Sequence, residues 1–390
     1  MKFVISGGGT AGHIYPAIAV GKELERRGHE VLFAGTPKGL EARLVPEAGF
    51  KFEAFDVSGF NRNHPTTLVK SSVKALKAAN AAKKWLKEVA PDAVVGFGGY
   101  VSIPVGRAAF ELGIPLVIHE QNSACGMANK YLAPHASAIA VTYEVAAHAL
   151  KHTCPLAITG NPVRTEILEA DREKSRDVLR VPRTAELLLV FGGSLGARHI
   201  NTAMCELASG LMERPDLYVI HVTGPKEYDT VHDALVSRGI ELAGPGYDSA
   251  EGWENPGARY MLTGYFNHMG EAISASDVIV SRAGATSLAE ITAVGAVALL
   301  VPYPFATDDH QTSNARALVD SGAAYMCPDD EVEDEGFAAK LAELLDDADK
   351  RADMREKTRL LGRRNAAAKV ALMVEQAAKG EVEIGEIDAL

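Results

Sequence analysis

The sequence predicts an α/β chain of two Rossmann-like halves whose parallel sheets face a central cleft. Three observations predict it. At 390 residues and 47% hydrophobic content, the chain exceeds one ordinary core and fits two domains of roughly 100–200 residues each. Short apolar runs alternate with helical stretches along its whole length, the pattern of right-handed βαβ units on a parallel sheet. The halves also open alike: Phe3–His13 reads FVISGGGTAGH and Leu188–Arg198 reads LLVFGGSLGAR, each a strand, a Gly-rich turn and a helix start.

The elements of the first half follow from its apolar runs. Phe3–Ile5, Glu30–Phe33, Ala93–Gly96, Pro115–Ile118 and Ala138–Val141 read as buried strands. Ala17–Arg27 and Leu68–Val89 are the clearest helices between them. The turn-rich Gly160-Asn161-Pro162 joins the halves. A second series begins near Glu186, with strands at Leu187–Val190, Tyr218–Val222, Val278–Ser281 and Ala298–Val301. The expected division is 1–163, 164–364 and a C-terminal helical stretch, 365–390, packing back on the first domain. The acidic stretch Asp329–Glu335 and the Asp346–Asp349 cluster are expected on solvated surface.

Composition excludes several function classes. Lys plus Arg is 40 and Asp plus Glu is 51, a net charge of −11, which argues against general nucleic-acid binding. Cys125, Cys154, Cys205 and Cys327 are scattered, so neither a disulfide framework nor a structural zinc site is expected. Before Gly7 only Phe3, Val4 and Ile5 follow Lys2 as an apolar run, too few for a signal-peptide core. The longest uncharged run, Ile291–Thr307, is broken by Gly295, Pro302 and Pro304 and reads as a buried strand with flanks, so a soluble chain is expected. The tripeptide Asp347-Ala348-Asp349 matches a metal-binding DxD pattern but lies outside every Gly-rich loop, and no metal or cofactor is expected.

The chemistry sits in the loops. Gly7–His13 brings backbone N–H groups and a helix start toward a ligand. A nicotinamide reading needs an acidic residue after the second strand, and Gly35-Thr36-Pro37-Lys38 stands there instead. His13 lies at the helix start and is a candidate general base. Gly96–Ser102 and His119–Asn122 end two further strands, where ligands of open α/β sheets bind. In the second half Gly192–Arg198 forms another phosphate-sized turn. Gly284 opens a loop onto a helix, and Glu290 lies where a carboxylate can take two ribose hydroxyls. His310, Gln311 and Asn314 open the next helix with side chains that could bind a sugar. Residues Arg62 to Glu88 hold Arg62, Lys70, Lys74, Lys77, Lys83, Lys84 and Lys87 against Glu88, a segment charge of +6. Lys70, Lys74 and Lys77 share a helical face, with apolar neighbours that include Leu76.

These motifs together closely resemble the MurG-type N-acetylglucosaminyltransferases of peptidoglycan synthesis. The resemblance rests on GGGTAGH (Gly7–His13), GFGGYVSIP (Gly96–Pro104), HEQN (His119–Asn122), GNPVR (Gly160–Arg164), GGSLGAR (Gly192–Arg198), SRAGATSLAE (Ser281–Glu290) and HQTSNA (His310–Ala315). They run in family order over about Met1 to Asp330. The resemblance implies a GT-B fold, an acceptor held mainly by the first half and a sugar nucleotide held mainly by the second. It implies inverting transfer of N-acetylglucosamine from UDP-N-acetylglucosamine to the 4-hydroxyl of the muramoyl sugar of lipid I, giving lipid II at the cytoplasmic face of a membrane. Donor contacts would come from Thr10, Ala11, Gly12, Asn122, Arg164 and Ser194, from the Phe266 backbone, from Ala285, Thr286, Ser287, Leu288, Ala289 and Glu290, and from Gln311. A lipid-linked acceptor also turns the basic segment into an expected contact with an anionic membrane surface. The chain departs from the family at Ala11, where Gly is frequent, at Phe266, where Ile is more frequent, and in a longer segment at Tyr247–Gly257. The rival readings are another GT-B enzyme, such as a diacylglycerol glycosyltransferase or a sugar-nucleotide 2-epimerase, and a catalytically silent nucleotide-sugar binding protein.

Overall fold

The computed structural model describes residues 1–57, 67–193, 196–243 and 257–390. The side chains of 67–73, 75 and 307 are outside that description. The chain forms two compact units, Met1–Arg164 with Arg363–Leu390, and Thr165–Gly362.

Unit 1 is built on seven parallel strands: β1 (Lys2–Ser6), β2 (Glu30–Gly35), β3 (Lys51–Ala54), β4 (Ala93–Gly96), β5 (Leu116–Glu120), β6 (Ala138–Val141) and β7 (Leu156–Ile158). Their order is β3-β2-β1-β4-β5-β6-β7. Both faces are covered, as a parallel sheet requires. The side chains of β1 alternate: Phe3 and Ile5 face one core and Val4 the other. Helix Ala11–Arg26 lies on the Phe3 side, and helices Thr67–Val89 and Ser102–Glu111 on the Val4 side. The first helix starts at Ala11, six residues before the expected Ala17, and so runs through Pro16. The ring removes one backbone donor, but Pro16 is itself buried and the helix face packs regardless.

Unit 1 is completed by the end of the chain. Helix Ala366–Lys379 covers the Phe3 side with Val370, Met373 and Val374, each fully buried. Glu375 fixes its register. It accepts from Arg27 Nη1 at 2.9 Å and from His29 Nε2 at 2.7 Å, while Arg27 Nη2 donates to the Ala368 carbonyl at 3.1 Å.

Unit 2 repeats the plan with six parallel strands: β8 (Glu186–Phe191), β9 (Leu217–Val222), β10 (Tyr260–Thr263), β11 (Val278–Ser281), β12 (Ala298–Leu300) and β13 (Ala324–Met326). Their order is β10-β9-β8-β11-β12-β13. In each unit the strand order reverses once, between β1 and β4 and between β8 and β11. The loops leaving these strand pairs diverge and open a crevice at the carboxyl end of the sheet. All four loops at the two switch points carry motifs named above, three of them Gly-rich and the fourth built on Gly284.

One surface expectation is corrected here. Asp329 is buried, not solvated: its carboxylate pairs with the Arg282 guanidinium and stands 2.7 Å from His199 Nδ1. A buried acid needs such partners, and Arg282, at the end of β11, supplies one that the sequence order keeps 47 residues away.

Candidate active site

In unit 1 the first two Gly-rich loops interlock. Ser6 on β1 faces Gly96 on β4, and Phe97 N donates to the Ser6 carbonyl at 2.7 Å. The loops therefore leave the sheet side by side. Gly99 adopts φ +80°, and a Cβ there would stand 2.3 Å from the Gly8 carbonyl oxygen. Only glycine permits that approach. Ser102 Oγ seals the seam, with the carbonyls of Ser6 at 3.0 Å and Gly98 at 2.7 Å as acceptors.

His13 stands over this seam in the first turn of helix Ala11–Arg26. Its Nδ1 lies 2.9 Å from the Gly8 carbonyl and 3.4 Å from Thr10 Oγ1. A carbonyl only accepts, so Nδ1 carries the hydrogen, and in the neutral ring Nε2 is left as the acceptor. The ring edge bearing Nε2 lies beside Gly98, where a Cβ would sit 3.2 Å from that nitrogen. Thr10, Ala11 and Gly12 share this turn. Tyr15, one turn further on, carries the Arg164 guanidinium over its ring at 4.2 Å, which brings the Gly160–Arg164 motif to the same helix.

The HEQN segment does mostly structural work. His119 is fully buried, stacks on Phe97 at 5.3 Å and donates from Nε2 to the Gly160 carbonyl at 3.0 Å. Gln121 Nε2 donates to its Nδ1 at 3.1 Å and to the Phe97 carbonyl at 3.0 Å. Both nitrogens are satisfied by a neutral ring, and burial pushes the His119 pKa down to about 4. Glu120 accepts from Asn122 N at 3.1 Å, Gly126 N at 2.9 Å and Asn129 Nδ2 at 2.9 Å. Asn122 is the partly exposed end of this network.

In unit 2 the helix Ala285–Val294 begins at Gly284 in extended conformation, at the switch point. Its positive end lies just past the carboxyl end of β11, where a helix start favours an anion. Leu288 is buried and its N–H is used by the Gly284 carbonyl at 3.0 Å. Ala285, Thr286 and Ser287 form the first turn of the helix, and Leu288, Ala289 and the buried Glu290 follow on the next. Asn314 Nδ2 donates to the Ala283 carbonyl at 3.4 Å, and Gln311 Oε1 accepts from Tyr303 N at 2.9 Å. These two bonds tie helix His310–Val319 to the loops after β11 and β12. Phe266 is buried just past β10. Ser194 and most of 247–257 lie outside the described residues.

Two groups receive no role from the sequence, although Arg282 lies inside the Ser281–Glu290 motif. Arg282 Nη1 donates to the carbonyls of Val301 and Pro302, each at 3.2 Å, and binds Asp329, so it sets the loop that presents Tyr303 to Gln311. In unit 1 Glu41 is fully buried beneath the first loop. Its carboxylate bonds the protein itself, accepting from Gly9 N and from Thr36. Among the described residues no cluster of His, Cys, Asp or Glu has the arrangement of a metal site.

Comparison with known proteins adds the family. Residues 3–141 match the glycosyltransferase family 28 N-terminal domain, and 187–371 match the family's C-terminal domain. A relative from Halothermothrix orenii, the UDP-N-acetylglucosamine–N-acetylmuramyl-(pentapeptide) pyrophosphoryl-undecaprenol N-acetylglucosamine transferase, is 38% identical over 97% of this chain and 100% of its own. The crystal structure of MurG from Acinetobacter baumannii superposes with a TM-score of 0.69 and 27% identity, covering 96% of this chain and 99% of that one. A UDP-GlcNAc 2-epimerase from Neisseria meningitidis, bound to UDP-GlcNAc, reaches a TM-score of 0.63 at 15% identity, covering 95% of this chain and 99% of its own, and shares the GT-B fold alone.

Proposed function

The chain belongs to the glycosyltransferase family 28 N-acetylglucosamine transferases, and on that premise we propose how its residues carry out the transfer. The enzyme moves N-acetylglucosamine from UDP-N-acetylglucosamine to lipid I, forming lipid II. The observation that carries this reading is the match to the Halothermothrix orenii transferase from end to end. The epimerase alternative shares only the fold.

In the proposed reaction the 4-hydroxyl of the muramoyl sugar attacks the anomeric carbon of the donor. The carbon–oxygen bond to the diphosphate breaks with inversion, UDP leaves, and the hydroxyl proton passes to His13 Nε2. The His13 geometry supports this role, because the hydrogen on Nδ1 leaves Nε2 free of one. Unit 2 would hold the donor: the helix start at Ala285–Ser287 the diphosphate, Glu290 the ribose, Gln311 the sugar and the Phe266 backbone the uracil. Thr10, Ala11, Gly12, Asn122 and Arg164 of unit 1, with Ser194, complete the proposed donor contacts.

Access to a lipid-linked acceptor points to an anionic membrane surface at the cytoplasmic face, met peripherally. Among the described residues no helix is long and apolar enough to cross a membrane. The exposed Lys74, Leu76 and Lys77 of helix Thr67–Val89 support contact through that helix.

The test is UDP release with UDP-N-acetylglucosamine supplied, with and without a lipid-linked muramoyl acceptor, each in excess EDTA. UDP should appear only with the acceptor and at an undiminished rate. Release without acceptor would favour a hydrolase or an epimerase. Loss of activity restored by magnesium would require a metal site.

A further inference from the structure

The buried Glu41 is unexplained by the reading above. It is the first residue of the short helix Glu41–Glu47, and its side chain is 0% exposed. Three glycines make room for it. A Cβ on Gly8 would stand 2.4 Å from Glu41 Oε1, one on Gly39 2.2 Å from Oε2, and one on Gly35 2.5 Å from Cγ. The carboxylate accepts from Thr36 N at 3.0 Å and Thr36 Oγ1 at 2.6 Å through Oε1. Through Oε2 it accepts from Gly9 N at 3.1 Å.

The last bond reaches the candidate base through a single peptide unit. The Gly9 N–H and the Gly8 carbonyl belong to one planar group. Its nitrogen end donates to Glu41, and its oxygen end accepts the His13 Nδ1 hydrogen at 2.9 Å. Between two glycines, with Gly9 at φ +87°, this peptide has no Cβ barrier of its own to turning over, so its orientation depends on its partners. A flip would aim an N–H at His13 Nδ1 and force the other tautomer, with hydrogen on Nε2.

We propose that Glu41 is a positioning residue for the transfer: through the Gly8–Gly9 peptide it orients the His13 ring and fixes its hydrogen on Nδ1. The carboxylate also draws density along the peptide, which makes the Gly8 oxygen a better acceptor. This rests on His13 being the base. The arrangement performs the task of a carboxylate bonded directly to a catalytic histidine, with one peptide between them.

Glu41→Gln is the test, because an amide puts an N–H against at least one of the three donors. Selective ¹⁵N labelling of histidine reads the tautomer, with His13→Ala identifying the His13 signals. The wild type should show hydrogen on Nδ1. Glu41→Gln should show both tautomers, and kcat should fall at least about tenfold, the low end for removing a group that orients a histidine. The KM for UDP-N-acetylglucosamine should hold. Glu41→Asp keeps the charge but withdraws it from Gly9, and serves if Glu41→Gln does not fold. Thr36→Val leaves the Gly9 bond in place and should preserve the tautomer. An unchanged His13 tautomer in a folded Glu41 variant overturns the proposal. Normal turnover in His13→Ala overturns the base assignment instead, and the tautomer then decides the role of Glu41 alone.

Discussion

Glu290 is the residue proposed to hold the donor ribose in unit 2. It sits on the second turn of helix Ala285–Val294 and is 5% exposed, so a ribose bonded there meets a carboxylate largely shielded from water. A charge-assisted hydrogen bond of this kind contributes about 1.5–3 kcal/mol. Glu290→Ala should therefore weaken UDP-N-acetylglucosamine binding about tenfold to a hundredfold in calorimetry. Unchanged affinity would remove Glu290 from the site. At this scale the sequence is informative where a motif is contiguous. His13, Glu290 and Gln311 stand out because each follows a Gly-rich loop or opens a helix. Glu41 does not, and Arg282, though inside the Ser281–Glu290 motif, shows no role there, because these roles depend on partners folded against them: Gly8 and Gly9 for the first, Asp329 for the second. Asp329 itself reads as surface in a run of acids, and only the ion pair explains its burial.

Strands β5 and β9 each carry a buried neutral histidine near the carboxyl end. His221 is bonded by Tyr260 Oη at 2.9 Å and donates to Asn201 Oδ1 at 3.0 Å, and burial pushes its pKa down to about 3. The unfolded chain titrates near 6.5, so it binds protons that the folded strands refuse. The stability these rings contribute is complete above pH 6.5 and is lost as pH falls toward 4 and 3. Between pH 7 and pH 5, His119 alone should cost unit 1 about 2 kcal/mol. Urea unfolding followed by Trp85 fluorescence, in a Trp253→Phe background, checks this. The pH dependence should flatten in His119→Gln, and an equal slope would mean that the folded ring takes up protons. The strands also show which elements the sequence makes legible. The nine read from apolar runs are the sheet interiors. The four with no sequence reading, β3, β7, β10 and β13, are the four sheet edges. An edge strand is short and need not be apolar on both faces; β3 reads Lys-Phe-Glu-Ala and is largely exposed.

The whole molecule carries a net charge of −11, so any attraction to an anionic surface must be local. The folded chain makes the basic segment weaker than its sequence suggests. Lys74 pairs with Asp56 at 3.2 Å and Lys83 with Glu111 at 3.1 Å, and both acids come from outside the segment. Arg62 and the Lys70 side chain lie outside the described residues. Lys84 lies 3.9 Å from Glu88, so the proposed attraction would rest on Lys77 and Lys87, at roughly 1 kcal/mol per cation near anionic lipid, and would weaken as salt shortens the Debye length. Sedimentation with phosphatidylglycerol vesicles should fall in a variant with Lys70, Lys74 and Lys77 changed to Glu, and in wild type at high salt. Wild-type binding by the variant would make this helix an ordinary solvated face. At the same scale, the doubled Gly-rich opening of the sequence is the trace of two parallel sheets, each with its loops at a switch point.

Product analysis tests the central claim most directly. The protein is incubated with UDP-N-acetylglucosamine and a lipid-linked muramoyl pentapeptide, and the lipid fraction is examined by mass spectrometry and by NMR of the anomeric proton. Acceptor and UDP should change in equal amounts, with each acceptor gaining one N-acetylhexosamine in β linkage to the muramoyl 4-hydroxyl. An unmodified lipid fraction, with the nucleotide recovered as a 2-epimer or as free sugar and UDP, would contradict the account.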